Sequence, residues 1–126
     1  MEQKEKIKTF KDLRAWQEGH RLVLAIYAAT KEFPKEEQFG LTNQLRRAVV
    51  SITSNISEGF SRHSMKEKAQ FYSMALGSLS EVQNQILIAK DVAYISEKYF
   101  QEISEQTVSV SKILNGLIKS SLSRNT

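Results

Sequence analysis

Residues 64–92 read SMKEKAQFYSMALGSLSEVQNQILIAKDV, and the spacing of apolar side chains in this run decides the fold. Phe71, Ala75, Leu79, Val82, Ile86 and Ala89, continued by Ala93, recur every three or four residues, which is the period of an α-helix. Ser64-Met65-Lys66-Glu67 has the form of a capping box, able to satisfy the free amides at a helix start. A helix from Met65 to Val92 is about 40 Å long at 1.5 Å per residue. Met74, Ile88 and Val92 fall on a second sector about a third of a turn away, and Leu76 and Leu87 on a third. A helix apolar on more than one face must bury more than one face.

Working outward, the same period recurs on both sides. Leu41, Leu45, Ala48, Val49, Ile52 and Ile56 predict a helix from Leu41 to about Phe60, with Ser61–Ser64 as the break. Further upstream, Leu13, Trp16, His20, Val23, Tyr27 and Thr30 predict a helix from about Lys11 to Phe33 with this set as its buried face. Leu22 and Ile26 lie off that face. Phe33-Pro34 closes the helix, because the residue before proline is pushed out of the α region, and Lys35–Gly40 forms a loop. Downstream, Tyr99, Ile103, Gln106, Val110, Ile113 and Leu117 predict a helix from Glu97 to Leu122 that runs through Asn115-Gly116.

Four helices with short connectors imply an all-α, antiparallel up-down-up-down four-helix bundle over residues 10–120. A flexible basic arm, residues 1–9, precedes it and a frayed tail, residues 121–126, follows. The surplus apolar sectors argue for self-association. Composition agrees: 126 residues at 40% hydrophobic and 25% charged suit one globular core, and one proline with five glycines suits no turn-rich β fold.

The chemistry-bearing residues exclude more than they suggest. With no cysteine there are no disulfides, thiolate metal sites or cysteine nucleophiles. The Glu-x-x-His spacing of di-iron bundles is absent, as are phosphate-binding glycine loops and the Gly-x-Ser-x-Gly elbow. Of the two histidines, His20 reads as a core imidazole and His63 as a loop residue. Asn55-Ile56-Ser57 matches a glycosylation sequon only formally, because it lies inside a helix. The charged amino terminus has no signal-peptide pattern, and the longest uncharged run, Ala69–Ser80, is too short to span a bilayer. The expected location is the cytoplasm.

Two polar stripes stand out. Gln44, Ser51, Asn55, Glu58 and Arg62, flanked by Arg47, run along the second helix, and Gly77, Ser78, Glu81, Asn84 and Gln85 along the third. They fit register-fixing contacts between helices or subunits, with Gly77 and Ser78 allowing close approach, or the lining of a channel or partner groove. The net charge of +4 is unevenly spread: Lys4, Lys6, Lys8, Lys11 and Arg14 crowd the amino terminus, and Arg46, Arg47, Arg62, His63, Lys66 and Lys68 span the second helix and the start of the third. Such clusters can hold a phosphate backbone, which demands positive charge and little else. No aromatic-interleaved platform or base-reading helix-turn-helix is legible beside them.

Gln44-Leu45-Arg46-Arg47-Ala48-Val49-Val50-Ser51, Ser54-Asn55-Ile56-Ser57-Glu58-Gly59-Phe60 with Arg62, and Gly77-Ser78-Leu79-Ser80-Glu81 together resemble the family of 23S rRNA intervening sequence proteins. Phe10-Lys11-Asp12-Leu13 with Trp16, and Phe33-Pro34 leading to Phe39-Gly40-Leu41, extend the resemblance over about residues 10–120. Ser57 departs from it, standing where the family usually has alanine. The resemblance implies a left-handed bundle assembled into a homopentameric barrel. It extends to the accessory variability determinant of diversity-generating retroelements, a basic pentamer that binds nucleic acid and a reverse transcriptase. Arg46, Arg47 and Arg62 match the family pattern, either as nucleic-acid contacts or as assembly partners of Glu58 and Glu81.

The resulting expectation is a non-enzymatic oligomer, without cofactor or metal, that binds RNA or DNA electrostatically with little sequence preference. Lys11, Arg46, Arg47, Arg62, Lys66 and Lys68 are its candidate nucleic-acid residues. Gln44, Ser51, Asn55, Glu58, Ser78 and Glu81 are candidates for oligomer or polar-stripe contacts. The alternative is a scaffold ring for another protein, such as a reverse transcriptase, with no intrinsic nucleic-acid role. No membrane partner is expected.

Overall fold

The computed structural model describes residues 6–124, and four long helices make up most of them: α1 (Arg14–Thr30), α2 (Leu41–Ser61), α3 (Met65–Asp91) and α4 (Glu97–Ser123). Short 3-10 turns at Phe10–Asp12 and Lys35–Glu37 precede α1 and α2, and there is no strand among the described residues. Contacts between neighbours show how the helices run. Gly19 faces Thr53, and Arg46 reaches back to Thr30. Lys68 reaches Phe60, and Ser51 meets Ser78. Gln83 meets Thr107, while Lys90 lies over Phe100. In each pair the numbers rise along one helix as they fall along the other, so the neighbours are antiparallel. Helix α1 borders α2 and α4, and α3 borders the same two from the opposite corner. This is the up-down-up-down four-helix bundle.

The core is aliphatic: Leu22, Ile26, Leu45, Ile52, Ile56, Leu79, Val82, Ile86, Ile103, Val110 and Leu114 are essentially inaccessible. Burying each such side chain stabilises the fold by about 1.5–3 kcal/mol relative to exposure. On α2 the expected apolar face is the buried one. On α3 it is buried with Tyr72 in place of Phe71, which is only half-buried, and without Ala93, which lies beyond the helix end and is exposed.

Helix α1 corrects the expectation. It buries Ala15, Gly19, Leu22, Ile26, Ala29 and Thr30; of the expected set Leu13 and Thr30, at its two ends, are buried, while Trp16, His20 and Val23 are only half-buried and Tyr27 is exposed. The buried face lies about one residue step, or 100°, around the helix from the expected one. Its small residues let α2 come close: a Cβ at Gly19 would stand 3.1 Å from Thr53 Cγ2. The helix is also shorter than Lys11–Phe33, although Phe33 remains buried beyond its end. On α4, Gln106 is exposed and its neighbour Thr107 is fully buried, its hydroxyl donating to Ser104 O at 2.6 Å. Ser121 is buried and α4 continues through Ser123, so helical order extends into the segment expected to fray. Residues 1–5 of the expected arm, including Lys4, and residues 125 and 126 lie outside the described residues.

Helix ends follow local chemistry. Ser64 Oγ accepts from the Glu67 amide at 3.0 Å, whereas the Glu67 carboxylate meets the Ser64 hydroxyl at 3.5 Å and not its amide. The full reciprocal box forms elsewhere, at Thr9 and Asp12. Gly40, which precedes α2, has no capping side chain, and Glu37 Oε1 accepts the Leu41 amide in its stead at 3.0 Å. The other oxygen, Oε2, accepts from the Tyr94 hydroxyl at 2.8 Å, tying α2 to the α3–α4 turn.

Candidate nucleic-acid interface

The topology puts the start of α1, the end of α2, the start of α3 and the end of α4 at one end of the bundle. At this end a pocket of about 350 Å³ is lined by Ile7, Leu13, Phe60, Lys68, Tyr72, Leu117, Ser121 and Arg124, among others. The amino-terminal cluster and the Arg62–Lys68 part of the second cluster, far apart in sequence, come to this same end, while Arg46 and Arg47 lie at the other. Within two turns of this end and in its connectors lie Lys6, Lys8, Lys11, Arg14, Arg62, Lys66, Lys68, Lys119 and Arg124, against Asp12, Glu18, Glu58 and Glu67. At the opposite end Lys31, Lys35, Arg46, Arg47, Lys90 and Lys98 are balanced by Glu32, Glu36, Glu37, Asp91, Glu97 and Glu102. The positive excess is therefore axial.

Several acids at the basic end are already engaged. Asp12 Oδ2 accepts the Lys8 and Thr9 amides at 2.8 and 3.0 Å, which, with nearby Lys8 and Lys11, holds its carboxyl below the ordinary range. Glu58 pairs with Arg62 at 2.9 Å, and Glu18 with Arg21 at 2.8 Å.

The candidate cations separate into two kinds. Lys11 and Lys66 are exposed at the basic end. Lys68 is partly buried, donating to Phe60 O at 2.6 Å and lying over the Phe60 ring at 5.3 Å. It caps the last carbonyls of α2, where a cation meets the negative end of the helix dipole, and burial draws its ammonium below the ordinary lysine pKa. Arg62 is held by Glu58 and stacks on the Phe71 ring at 4.5 Å, with Nε buried and unpartnered. Arg46 lies towards the other end, bonded to Thr30 Oγ1 at 2.8 Å and stacked on Tyr27 at 4.6 Å. Arg47, also towards that end, is exposed and has no ion-pair partner among the described residues.

Between α2 and α3 the two polar stripes do meet. Gln44, Arg47, Ser51, Ser78, Glu81 and Gln85 line an open groove of about 500 Å³ together with Asn43 and Ala48. The Ser51 and Ser78 hydroxyls are 2.8 Å apart, and Asn55 Nδ2 donates to Ser51 O at 2.9 Å. Glu58 and Asn55 do not line this groove. Within one chain Gly77 makes no close approach, because a Cβ there would meet nothing within 4 Å.

Sequence reasoning missed an aromatic feature at the basic end. Phe10 stacks on Trp16 with ring centroids 5.3 Å apart, and Trp16 on His20 at 4.7 Å. His20 is therefore a half-exposed stacking residue, not a core imidazole. The signal was present in the i, i+4 spacing of Trp16 and His20, which puts two flat rings one above the other on a helix.

No group of three or more His, Asp or Glu side chains able to hold a metal occurs among the described residues, and none of their helices is long and apolar enough to cross a membrane. Over residues 11–116 the sequence matches the 23S rRNA-intervening sequence protein family. The chain belongs to that family. Among solved structures it is similar to a protein of unknown function from the S23 ribosomal protein family of Bacteroides thetaiotaomicron VPI-5482, with a TM-score of 0.77 and 20% identity. The similarity covers 83% of this chain and 98% of that one, and at this identity it speaks for the shared fold. No curated protein sequence matches the chain. Within the matched region, contacts account for the run Glu58-Gly59-Phe60. Gly59 admits the Tyr72 ring, Glu58 holds Arg62, and Phe60 with its carbonyl holds Lys68.

Proposed function

We propose that this member of the 23S rRNA-intervening sequence protein family is a non-enzymatic homo-oligomer, a pentamer as the family resemblance implies, that binds RNA or DNA with little sequence preference. The observation that carries this reading is the axial separation of charge, which concentrates unpaired cations at one end of the bundle. In a ring these ends form a continuous basic rim, and a field of one sign attracts a polyanion more strongly than scattered charges do. Lys11, Arg14 and Lys66 are the contacts to test, because Arg46, Arg62 and Lys68 are engaged within the chain. The setting is the cytoplasm.

Purified protein titrated with fluorescent structured RNA and with duplex DNA is expected to show affinity falling steeply as salt rises, reflecting counterion release. Reversing Lys11, Arg14 and Lys66 to Glu is expected to weaken both complexes while leaving oligomer mass unchanged. Equal affinity of the triple variant and the parent would remove this end as the site.

A second reading is a scaffold ring that organises another protein, a reverse transcriptase being one class of partner. Phe39, 88% exposed, and the exposed Met74, Leu87, Ile88 and Val92 favour it, since they offer apolar surface that one bundle leaves unused. Recovery from a native extract of a stoichiometric protein partner that survives nuclease treatment would favour this reading.

A further inference from the structure

Phe10, Trp16 and His20 form a ladder of three nearly parallel rings, with interplanar angles of 21° and 12°. All three are half-buried. Trp16 packs against the hydrophobic core, but Phe10 is not among the side chains that do. The ladder is anchored at Trp16 and extends outward from it. Among the described residues, no further ring and no guanidinium or ammonium stacks on Phe10 or His20.

The backbone that carries Phe10 is held in place before any ligand arrives. Thr9 and Asp12 close a reciprocal cap around the turn, and Gln17 Nε2 donates to Lys11 O at 2.9 Å. Lys8, Lys11 and Arg14 belong to the same segment and are exposed. Parallel rings beside cations supply the two parts of single-strand recognition, a π face for a base and positive charge for its phosphates. Bases inside a duplex are already stacked on each other and offer no free face for such a ladder.

We propose that the ladder is a stacking platform for an unpaired base of single-stranded nucleic acid, with the adjoining phosphates on Lys8, Lys11 and Arg14. The inference rests on the nucleic-acid reading above and specifies the ligand of that same end.

Trp16 is the only tryptophan, so its emission reports on the ladder directly. The test follows Trp16 emission and fluorescence anisotropy together, using a short labelled single strand in RNA and DNA versions, an abasic strand of equal length, and the strand annealed to its complement. Intact single strands are expected to alter Trp16 emission and to bind more tightly than the abasic strand. Phe10→Leu is expected to weaken single-strand binding roughly tenfold, the scale of one lost base stack, and to leave duplex binding unchanged. His20→Leu, at the other end of the ladder from Phe10, provides a second variant, and circular dichroism checks that both remain helical.

If single strands bind but Trp16 emission is unmoved, the abasic strand binds equally and neither variant weakens binding, the platform is wrong and the basic-end reading stands. If neither strand nor duplex binds at low salt, both readings fall together.

Discussion

Ala93 ends α3 in the left-handed region at φ 66°, the one non-glycine residue with positive φ among the described residues. Its amide donates to Lys90 O at 2.9 Å and that of Tyr94 to Ala89 O at 2.8 Å, the paired bonds of a Schellman turn. An alanine Cβ in this region costs about 1 kcal/mol, a strain glycine escapes. Ala93→Gly is therefore expected to stabilise the protein by about 1 kcal/mol, raising Tm by about 3 °C in a thermal melt. Gly59→Ala is expected to act in the opposite sense. The new Cβ would stand 2.7 Å from Tyr72 Cε1 and 3.0 Å from Phe71 Cβ. Tyr72 is fully buried and cannot swing away, so overpacking of about 1–3 kcal/mol outweighs alanine's better helix propensity. A urea titration of both variants against the parent measures the pair. Neither effect was legible in the sequence. Ala93 reads there as one more member of the α3 stripe, and the need for Gly59 depends on a ring that arrives from another helix.

At the scale of elements, the carboxylate of Glu37 joins the start of α2 to the turn between α3 and α4. The Leu41 amide first, and the Tyr94 hydroxyl second, hold its carboxyl below the ordinary value of 4.5, and the same bond raises the Tyr94 phenol. Because the folded state lowers this pKa, the linked stability is fully present above the unfolded value and is lost as pH falls through the folded one. Asp12, lowered by its own cap, adds in the same direction. Tyr94→Phe removes one of Glu37's bonds. It is expected to flatten, without abolishing, the fall in urea midpoint between about pH 6 and pH 3. An acid limb identical to the parent's would mean that Tyr94 does not couple to Glu37 in solution. The spans of α2, α3 and α4 were readable to within a residue or so, since period and caps are local properties. The buried face of α1 was not. Two apolar stripes run along that helix, and hydrophobicity alone favours the one with Trp16 and Tyr27. Close packing selects the one whose Ala15 and Gly19 let α2 approach.

For the whole molecule, the α2–α3 groove carries the assembly question. Arg47 and Glu81 both line it and neither has an ion-pair partner among the described residues. If the groove is where copies of the chain meet, Arg47→Glu or Glu81→Arg alone is expected to lower oligomer mass by light scattering. The double exchange is expected to restore it. Unchanged mass in both single variants would place assembly elsewhere, with Phe39 and the exposed α3 aliphatics the next surfaces to test. Sequence by itself determined the number of helices, their approximate spans and the up-down order, because apolar periodicity, caps and short connectors act over a few residues. It also brought out both polar stripes and both basic clusters. Only the tertiary structure decided which face of α1 is buried, which candidate cations are engaged within the chain, and that the amino-terminal cluster shares one end with Arg62, Lys66, Lys68 and an aromatic ladder while Arg46 and Arg47 lie at the other. Those facts depend on antiparallel neighbours far apart in sequence, and on shapes that fit only when the helices are packed together.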